Sequence, residues 1–512
     1  MNDESKGPSR HQAVKPVGVL GVGVAAPSLR LATSEARAAW GEGGGRGKVA
    51  VCGADEDALT LAWEAAEEAL AASGSTEVDG LWWGTSRPPF AEGPSHSFLS
   101  ATLGIDPGGA GGLNSGSPHA GMEALASAWD AVAAGHARRA LVVVSDALVP
   151  GLGTGSETSY GAGGAAIVLG PAAGAPAVLA SRATRSAPVL DRYRADGAYA
   201  TGDPYDPRLF REEVYLPLMS EVARGAAAGM AALGQADGDR REAATTPVSA
   251  WSLADPDGKL AAVLAKKLGT PVPLSAPVQS ELGDTGAAAA LLGLVGALAE
   301  AGTLGAAGYG GGRATAIGVQ VDHPVPGADG CAGRLANGRA VGYLDAAKAR
   351  GLVQAMTDPV PMGLPPGGAA FVRGNPEMLG LLGARCRSCS TISTPPSVHP
   401  TCIACGGSDL EEVPLARRGT VVTFVVNHTM PPPFVAPLPL LVLDLQDGAR
   451  LMVQGTPSDA AFIAIGDPVH LVLRRYALER GVPVYGFKAV LDHATTDETP
   501  GDQTFRETAI RG

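Results

Sequence analysis

From Val17 to about Gly342 the chain alternates Gly- and Val-rich apolar runs with Ala-rich helical stretches, a pattern that predicts an α/β layered fold. The first apolar run, VGVLGVGVAA, reads as a strand. A helix is expected from near Asp55 (DEDALTLAWEAAEEALAAS), its acidic residues in the first turn where the helix dipole favours them. The strand GLWWGTS follows. Next comes a helix from Pro118 to about Ala134, with Ser117 as N-cap, Pro118 at the first helical position and Gly135 closing its C-terminus. ALVVVSDA and GAGGAAIVLG read as strands. The order then recurs as a strand around Val248 to Leu253, a helix from Lys259 to Leu268, the loop SELGDTG, and a buried helix over GAAAALLGLVGALAEAG from Gly286 to Gly302. The two halves look like a distant duplication.

The Pro- and Gly-rich run DPVPMGLPPGG, Asp358 to Gly368, interrupts this pattern and reads as a linker. After it, Gly419 to Phe424, Leu440 to Leu445, Leu451 to Gln454 and Pro468 to Leu473 are short Val- and Leu-rich runs separated by turn residues, predicting a small barrel of about five strands. Between linker and barrel stand Cys386, Cys389, Cys402 and Cys405, two C-x2-C pairs. Two thiolates from each pair can surround a tetrahedral zinc ion, and four protein ligands leave no open position for water or substrate. The expected zinc is therefore structural. A redox C-x-x-C would leave the second pair unexplained. The resulting division is a polar tail over 1–14, a body over 15–345, a linker over 346–375, a zinc ribbon over 376–411, a barrel over 412–491 and a second polar tail over 492–512.

Composition narrows the function classes. The 512 residues suit two to four domains, and 45% hydrophobic residues are ample for buried cores. A net charge of −12 with scattered Lys and Arg offers no basic stripe for phosphates, so no nucleic-acid partner is expected. The start MNDESKGPSRHQAVKP lacks the apolar core of a signal peptide, and the most apolar long stretch, at 286–302, is broken by glycines, so no membrane segment is expected. Cys52 and Cys331 make no disulfide framework, and a zinc-thiolate site suits a reducing compartment, so the cytoplasm is the expected location.

Two resemblances come from particular motifs. ARCRSCSTISTPPSVHPTCIACG, RRGTVVTFVVNH and IGDPVHLVL make the part from about Pro376 to Leu491 similar to the zinc-ribbon/OB-fold proteins that accompany thiolases and 3-hydroxy-3-methylglutaryl-CoA synthases. The part from about Val17 to Gly342 resembles the thiolase superfamily, closest to those synthases and to 3-oxoacyl-carrier-protein synthase III. It does so through ADEDALTLAWEAA, GTSRPPFAEGP, SPHAGMEAL, GAGGAAIVLG, ADPDGK, GDTGAAAALLGL and GYGGG. The resemblance implies a layered αβαβα body, acyl-CoA thioesters as ligands, a separately encoded thiolase as partner, and a homodimer or hetero-oligomer.

The family's chemistry uses a thiolate that accepts the acyl group, a histidine near the thioester and, in the synthase, a glutamate. Laid on the family's motifs, the cysteine position falls on Pro118, the glutamate on Ser86, the histidine on Ala254 and the asparagine of G-N-T on Asp284, while Lys259 persists. A shift of one or three residues would put Ser117 or Ser115 in the nucleophile slot, and Cys52 reads as a buried strand-end thiol. Three functions compete. The first is a bridging or non-thiolytic subunit working with a thiolase, for which the loop MPPPFVAPLP, Met430 to Pro439, is a candidate docking element. The second is an aldol-type lyase of β-hydroxyacyl-CoA thioesters, with Asp284, His119 and Tyr309 as candidate catalytic groups and Lys259 as a candidate CoA contact. The third is a condensing enzyme with a displaced nucleophile.

Overall fold

The structure, a computed structural model, describes residues 15–492 apart from 107, 203–205, 237–247, 271, 354–376, 431–433 and 480. The linker run Asp358 to Gly368, residues 1–14 and the tail beyond 492 lie outside the described residues, as does the middle of the Met430 to Pro439 loop. The chain divides into two compact units. The first gathers the described residues up to 382 with 430–435 and 473–487; the second takes 383–429, 436–472 and the described residues from 488.

The strands of the first unit's chain segment are β1 (Val17–Ala25), β2 (Leu29–Ala32), β3 (Lys48–Val51), β4 (Gly80–Gly84), β5 (Ala110–Asn114), β6 (Ala140–Ala147), β7 (Ala162–Pro171), β8 (Ala177–Ser186), β9 (Ala250–Leu253), β10 (Gly302–Gly310), β11 (Arg313–Val321) and β12 (Arg339–Val341). Nine of them form one sheet in the order β5-β4-β6-β7-β1-β8-β11-β10-β9, and β12-β2-β3 form a small second sheet. Outward from the β1–β8 seam the two halves run β1, β7, β6, β4, β5 and β8, β11, β10, β9. The steps are antiparallel, antiparallel, then parallel in both. The duplication expected from the sequence is thus present in the topology, with one outer strand fewer in the second half. β5, absent from the sequence reading, is AGGLN, a Gly-rich run of low strand propensity whose conformation comes from its parallel pairing with β4.

Five helices build the layers of the body: α1 (Ala58–Ala72), α2 (Ala120–Ala134), α3 (Leu216–Ala236), α4 (Leu260–Lys267) and α5 (Ala289–Ala297). α1 packs on β1, β6 and β7 and α3 on β8, β10 and β11, whereas α2 and α5 each touch strands of both halves. Those two helices form the middle layer, which gives the αβαβα order. Strand alternation separates the faces: Leu304 and Ala306 of β10 join the core of α2 and α5, and Ala307 and Tyr309 join that of α3. Among the described residues no helix is long and apolar enough to cross a membrane.

Three helix boundaries correct the sequence reading. The acids Asp55, Glu56 and Asp57 precede α1; Asp57 is its N-cap, in a capping box with Thr60. α2 begins at Ala120 with no side-chain cap, and Ser117 instead accepts the N–H of His119 at 3.3 Å on its Oγ; Pro118 and His119 therefore belong to the turn before it, while Gly135 does close it with φ 81°. The apolar run from Gly286 opens with a 3-10 turn at Gly286–Ala288 before the buried α5.

The ribbon strands are β13 (Leu382–Cys386), β14 (Ile392–Ser393) and β15 (Leu410–Pro414), ordered β14-β13-β15. Then β16 (Arg418–Asn427), β17 (Leu438–Leu445), β18 (Arg450–Gln454), β19 (Pro468–Glu479) and β20 (Val482–Leu491) form a sheet in the order β18-β17-β16-β19-β20. A bridge between Gly455 and Ala489 brings the two edges together, giving a nearly closed five-stranded barrel of OB type.

Candidate functional site

One cleft in the first unit collects residues from distant points in the sequence: Pro118, Asp191, Arg192, Phe210, Ala254, Asp255, Pro256, Asp284, Gly286, Tyr309 and Gly310. Pro118 precedes α2, Ala254 directly follows β9, Asp284 and Gly286 lead into α5, and Tyr309 and Gly310 end β10. Gly310 is needed for this convergence, since a Cβ there would meet the His119 backbone nitrogen at 2.5 Å and that of Pro118 at 2.9 Å. The motif comparison puts Pro118, Ala254 and Asp284 in three catalytic slots, and the fold brings all three to one place.

Asp284 is anchored on both sides. Its Oδ1 accepts the N–H of Gly286 at 2.9 Å, and its Oδ2 takes an ion-paired hydrogen bond from Arg192 Nη2 at 2.7 Å. Its backbone is held to the 159–161 segment by Asp284 N–H to Ser159 O and Gly161 N–H to Asp284 O. The Arg192 guanidinium lies 4.5 Å from the centre of the Tyr160 ring, which adds cation–π contact to the pair. Tyr309 is buried in an aromatic group, its ring 5.5 Å from Phe210 and 5.8 Å from Tyr215, both edge-on. The Tyr215 hydroxyl donates to the Ala254 carbonyl, and burial pushes its phenol well above the ordinary range, with Asp255, Asp257 and Asp284 adding to the shift.

Asp255 follows Ala254 directly. It is 5% exposed, and its Oδ1 accepts the N–H groups of Lys259 and Leu260 at 3.1 Å each, capping α4. Burial, then the neighbouring Asp257, push its carboxyl up to about 7. Lys259 itself is exposed and is not among the cleft-lining residues, and neither is His119. The His119 ring is 2% exposed, with Nε2 2.8 Å from Thr315 Oγ1 of β11 and Nδ1 facing Glu123 Oε1 at 3.4 Å, too long and poorly aligned for a made hydrogen bond. Burial pulls its pKa down to about 4, Glu123 opposing.

Ser86, which the motif comparison lays on the glutamate position, is bonded to Asp146. Its Oγ donates to Asp146 Oδ2 at 2.7 Å, and the fully buried Asp146 also accepts from Thr85 Oγ1, the N–H groups of Ser86 and Arg87, and the N–H of Ala287 at 2.7 Å. Burial raises the Asp146 pKa while these donors oppose it. Asp146 thus fastens the 85–87 loop to the turn before α5. Sequence reasoning missed Asp146, Asp191, Arg192, Phe210 and Asp255. Only Asp255 carried a usable signal, standing inside the ADPDGK motif next to Ala254.

In the ribbon, the four cysteine Sγ atoms lie within 4.8 Å of one another, with Cys386–Cys405 at 3.6 Å and Cys389–Cys402 at 3.5 Å. The edges of a tetrahedron with metal–sulfur bonds of ~2.3 Å are about 3.8 Å long, so the donor set fits one ion. The two knuckles match: Ser390 N–H bonds to Cys386 O at 2.8 Å and Gly406 N–H to Cys402 O at 2.9 Å, with φ of 62° and 73°.

Fold and cleft together define a thiolase-superfamily body carrying a ribbon and an OB barrel. The described fold superposes on MvaS in complex with 3-hydroxy-3-methylglutaryl coenzyme A with a TM-score of 0.55 at 20% identity, covering 68% of this chain and 94% of that one. Residues 412–474 match the family model ChsH2, C-terminal OB-fold domain. The hydroxymethylglutaryl-CoA synthase of Aeropyrum pernix is 30% identical over 295 residues, 54% of this chain and 76% of the relative. The DUF35 domain-containing scaffold protein of Methanocaldococcus jannaschii is 33% identical over 117 residues, 22% of this chain and 82% of the relative. The chain belongs to the thiolase superfamily, its body to the hydroxymethylglutaryl-CoA synthase family. The matching region spans about half, 46%, of the length of the Pyrococcus synthases it resembles.

A cysteine placed at position 118 would sit just before the first turn of the fifteen-residue α2, where the helix dipole lowers a thiol pKa. The Pro118→Cys variant is expected to be alkylated by iodoacetamide at neutral pH several-fold faster than free cysteine. An inert thiol at 118 would mean that this position does not open into the cleft.

Proposed function

We propose that this chain is a non-thiolytic acyl-CoA protein, holding a CoA thioester in the cleft without forming an acyl-enzyme. The observation that carries the reading is Pro118, a residue with no nucleophilic atom, lining the same cleft as Ala254 and Asp284. Neither Ser117 nor Cys52 is among the cleft-lining residues. Ser117 Oγ accepts from the turn it closes, and burial holds the Cys52 thiol well above its ordinary pKa, with Glu56 and Asp57 adding to the shift. What lines the cleft instead is the ion-paired Asp284, two further carboxyls, Asp191 and Asp255, and the Tyr309 phenol, groups that move protons and stabilise charge. They suit aldol-type cleavage of a β-hydroxyacyl-CoA thioester. A base takes the β-hydroxyl proton, the bond between the α and β carbons breaks, an aldehyde or ketone leaves, and the electron pair becomes a thioester enolate that is then protonated. Calorimetric titration with acetyl-CoA and a β-hydroxyacyl-CoA is expected to show saturable binding to the cleft. Absence of binding to either ends this reading.

The likeness of the C-terminal part to a scaffold protein favours a second role, that of bridging to a separately encoded thiolase. Affinity purification of the tagged chain from its host then recovers a stoichiometric cysteine-bearing thiolase, and recovery of the chain alone counts against bridging. Four thiolates in a closed tetrahedron favour zinc as the ribbon's ion, in a structural role.

A further inference from the structure

We infer that Asp255 is a catalytic acid/base of the cleft, exchanging a proton with the α-carbon of a bound acyl-CoA thioester from beside the position where the family keeps its histidine. The inference rests on reading the cleft as an acyl-CoA site. Three geometric facts support it. Asp255 lines the cleft next to Ala254, whose methyl leaves the histidine's place without a proton-transfer group. Its carboxyl is 5% exposed and fixed in orientation by two N–H groups on Oδ1, so it is positioned rather than tumbling in solvent. In the same cleft the Arg192–Asp284 pair provides a guanidinium beside which an enolate oxygen can develop charge.

The charged and titratable groups around Asp255 are Asp257 and Lys259 on its own loop, Tyr215 from the 210–215 helical turn, Tyr309 from β10, and Asp191, Arg192 and Asp284 on the facing loops. Burial and the neighbouring Asp257 raise its pKa above the ordinary carboxylate range, toward the range that suits a group that both takes and gives a proton.

The step balances without a co-reactant. The α-carbon C–H bond breaks, its electron pair moves into the thioester carbonyl as an enolate, and the proton goes to the Asp255 carboxylate. Return of a proton from the carboxylic acid to the same carbon restores the thioester. In cleavage of a β-hydroxyacyl thioester the enolate arises from carbon–carbon scission instead, and Asp255 delivers its proton to that carbon.

The test uses the full chain with acetyl-CoA in deuterium oxide. Incorporation of deuterium at the α-carbon is followed by mass spectrometry, and acetyl-CoA affinity is measured in parallel by calorimetry. Wild type is expected to exchange the α-hydrogens. Asp255→Asn, which keeps the Oδ1 acceptor that caps α4, is expected to bind acetyl-CoA as wild type does and to exchange about 100-fold more slowly, the lower end of what general acid–base catalysis supplies. Exchange at the wild-type rate in Asp255→Asn, or binding without exchange in wild type, overturns the inference and leaves the acyl-CoA reading standing. No binding by wild type overturns both.

Discussion

Removal of the ion from the four-cysteine cluster, or the Cys402→Ser substitution, is expected to unfold the ribbon completely. Its three strands hold five, two and five residues, and the buried apolar groups near them are few, chiefly Ala384, Ile392, Val413 and Leu415. Sheets this small do not offset their own chain entropy. A structural zinc site in peptides contributes about 10–16 kcal/mol of folding free energy, as much as a whole domain's stability of about 5–15 kcal/mol. Amide hydrogen exchange with and without a strong chelator checks this. The amides of Ala384 to Cys386 and of the two knuckles lose their protection, and metal analysis gives one equivalent per chain before treatment and none after. Protection retained in the metal-free protein would mean that packing alone holds the ribbon.

The second large effect is expected at Arg474, within the first unit. Its side chain is 8% exposed; Nη1 donates to Glu64 Oε1, and Nη2 faces Glu56 Oε1 at 3.6 Å. Beside it Arg475 N–H bonds to Asp55 O at 2.9 Å, the Tyr485 hydroxyl donates to Asp57 Oδ2 at 2.7 Å, and the rings of Phe487 and Trp63 meet edge-on at 5.5 Å. Arg474, Arg475, Tyr485 and Phe487 thus close over α1 and the acidic turn that caps it. Burial works against the charge of Arg474, but Glu64, Glu56 and Asp55 more than offset it and hold its pKa above the ordinary value. Burial in turn raises Glu56, and Arg474 opposes this. Removing one partner of a buried ion group leaves uncompensated charge, at a cost of about 3–5 kcal/mol. Arg474→Met should therefore destabilise the first unit by that amount, read as a lower denaturation midpoint for the α1 amides. Adding Glu56→Gln and Glu64→Gln should recover part of the loss. A change below about 1 kcal/mol, the value of an exposed pair, would show that these groups are not buried together in solution.

The sequence carried the fold further than the site. Strand and helix periods, the paired cysteines and the turn residues before β18 and β19 are local signals, and the structure keeps them. β5 was missed because its Gly-rich run has no strand propensity of its own. The α1 boundary was misread because an acidic cluster suits either a first turn or a cap, and only the reciprocal Asp57–Thr60 bonds decide between them. Pro118, Ala254 and Asp284 were singled out by motif, and the structure places all three in one cleft. Arg192 was not, because its role depends on a loop 92 residues away in the sequence meeting Asp284. Conversely, His119 reads as a cleft residue along the chain, yet the turn before α2 points its ring at Thr315 of β11. Direction on a turn is set by tertiary packing and leaves no trace in spacing.

The central claim, a thiolase-fold cleft that handles acyl-CoA without a covalent intermediate, is tested most directly by the intact mass of the full chain after incubation with acetyl-CoA and rapid acid quenching. The expected result is an unmodified chain under conditions where calorimetry shows the cleft saturated. A stable gain of one acetyl group on Ser115, Ser117 or Cys52 would contradict it and restore a condensing enzyme with a displaced nucleophile.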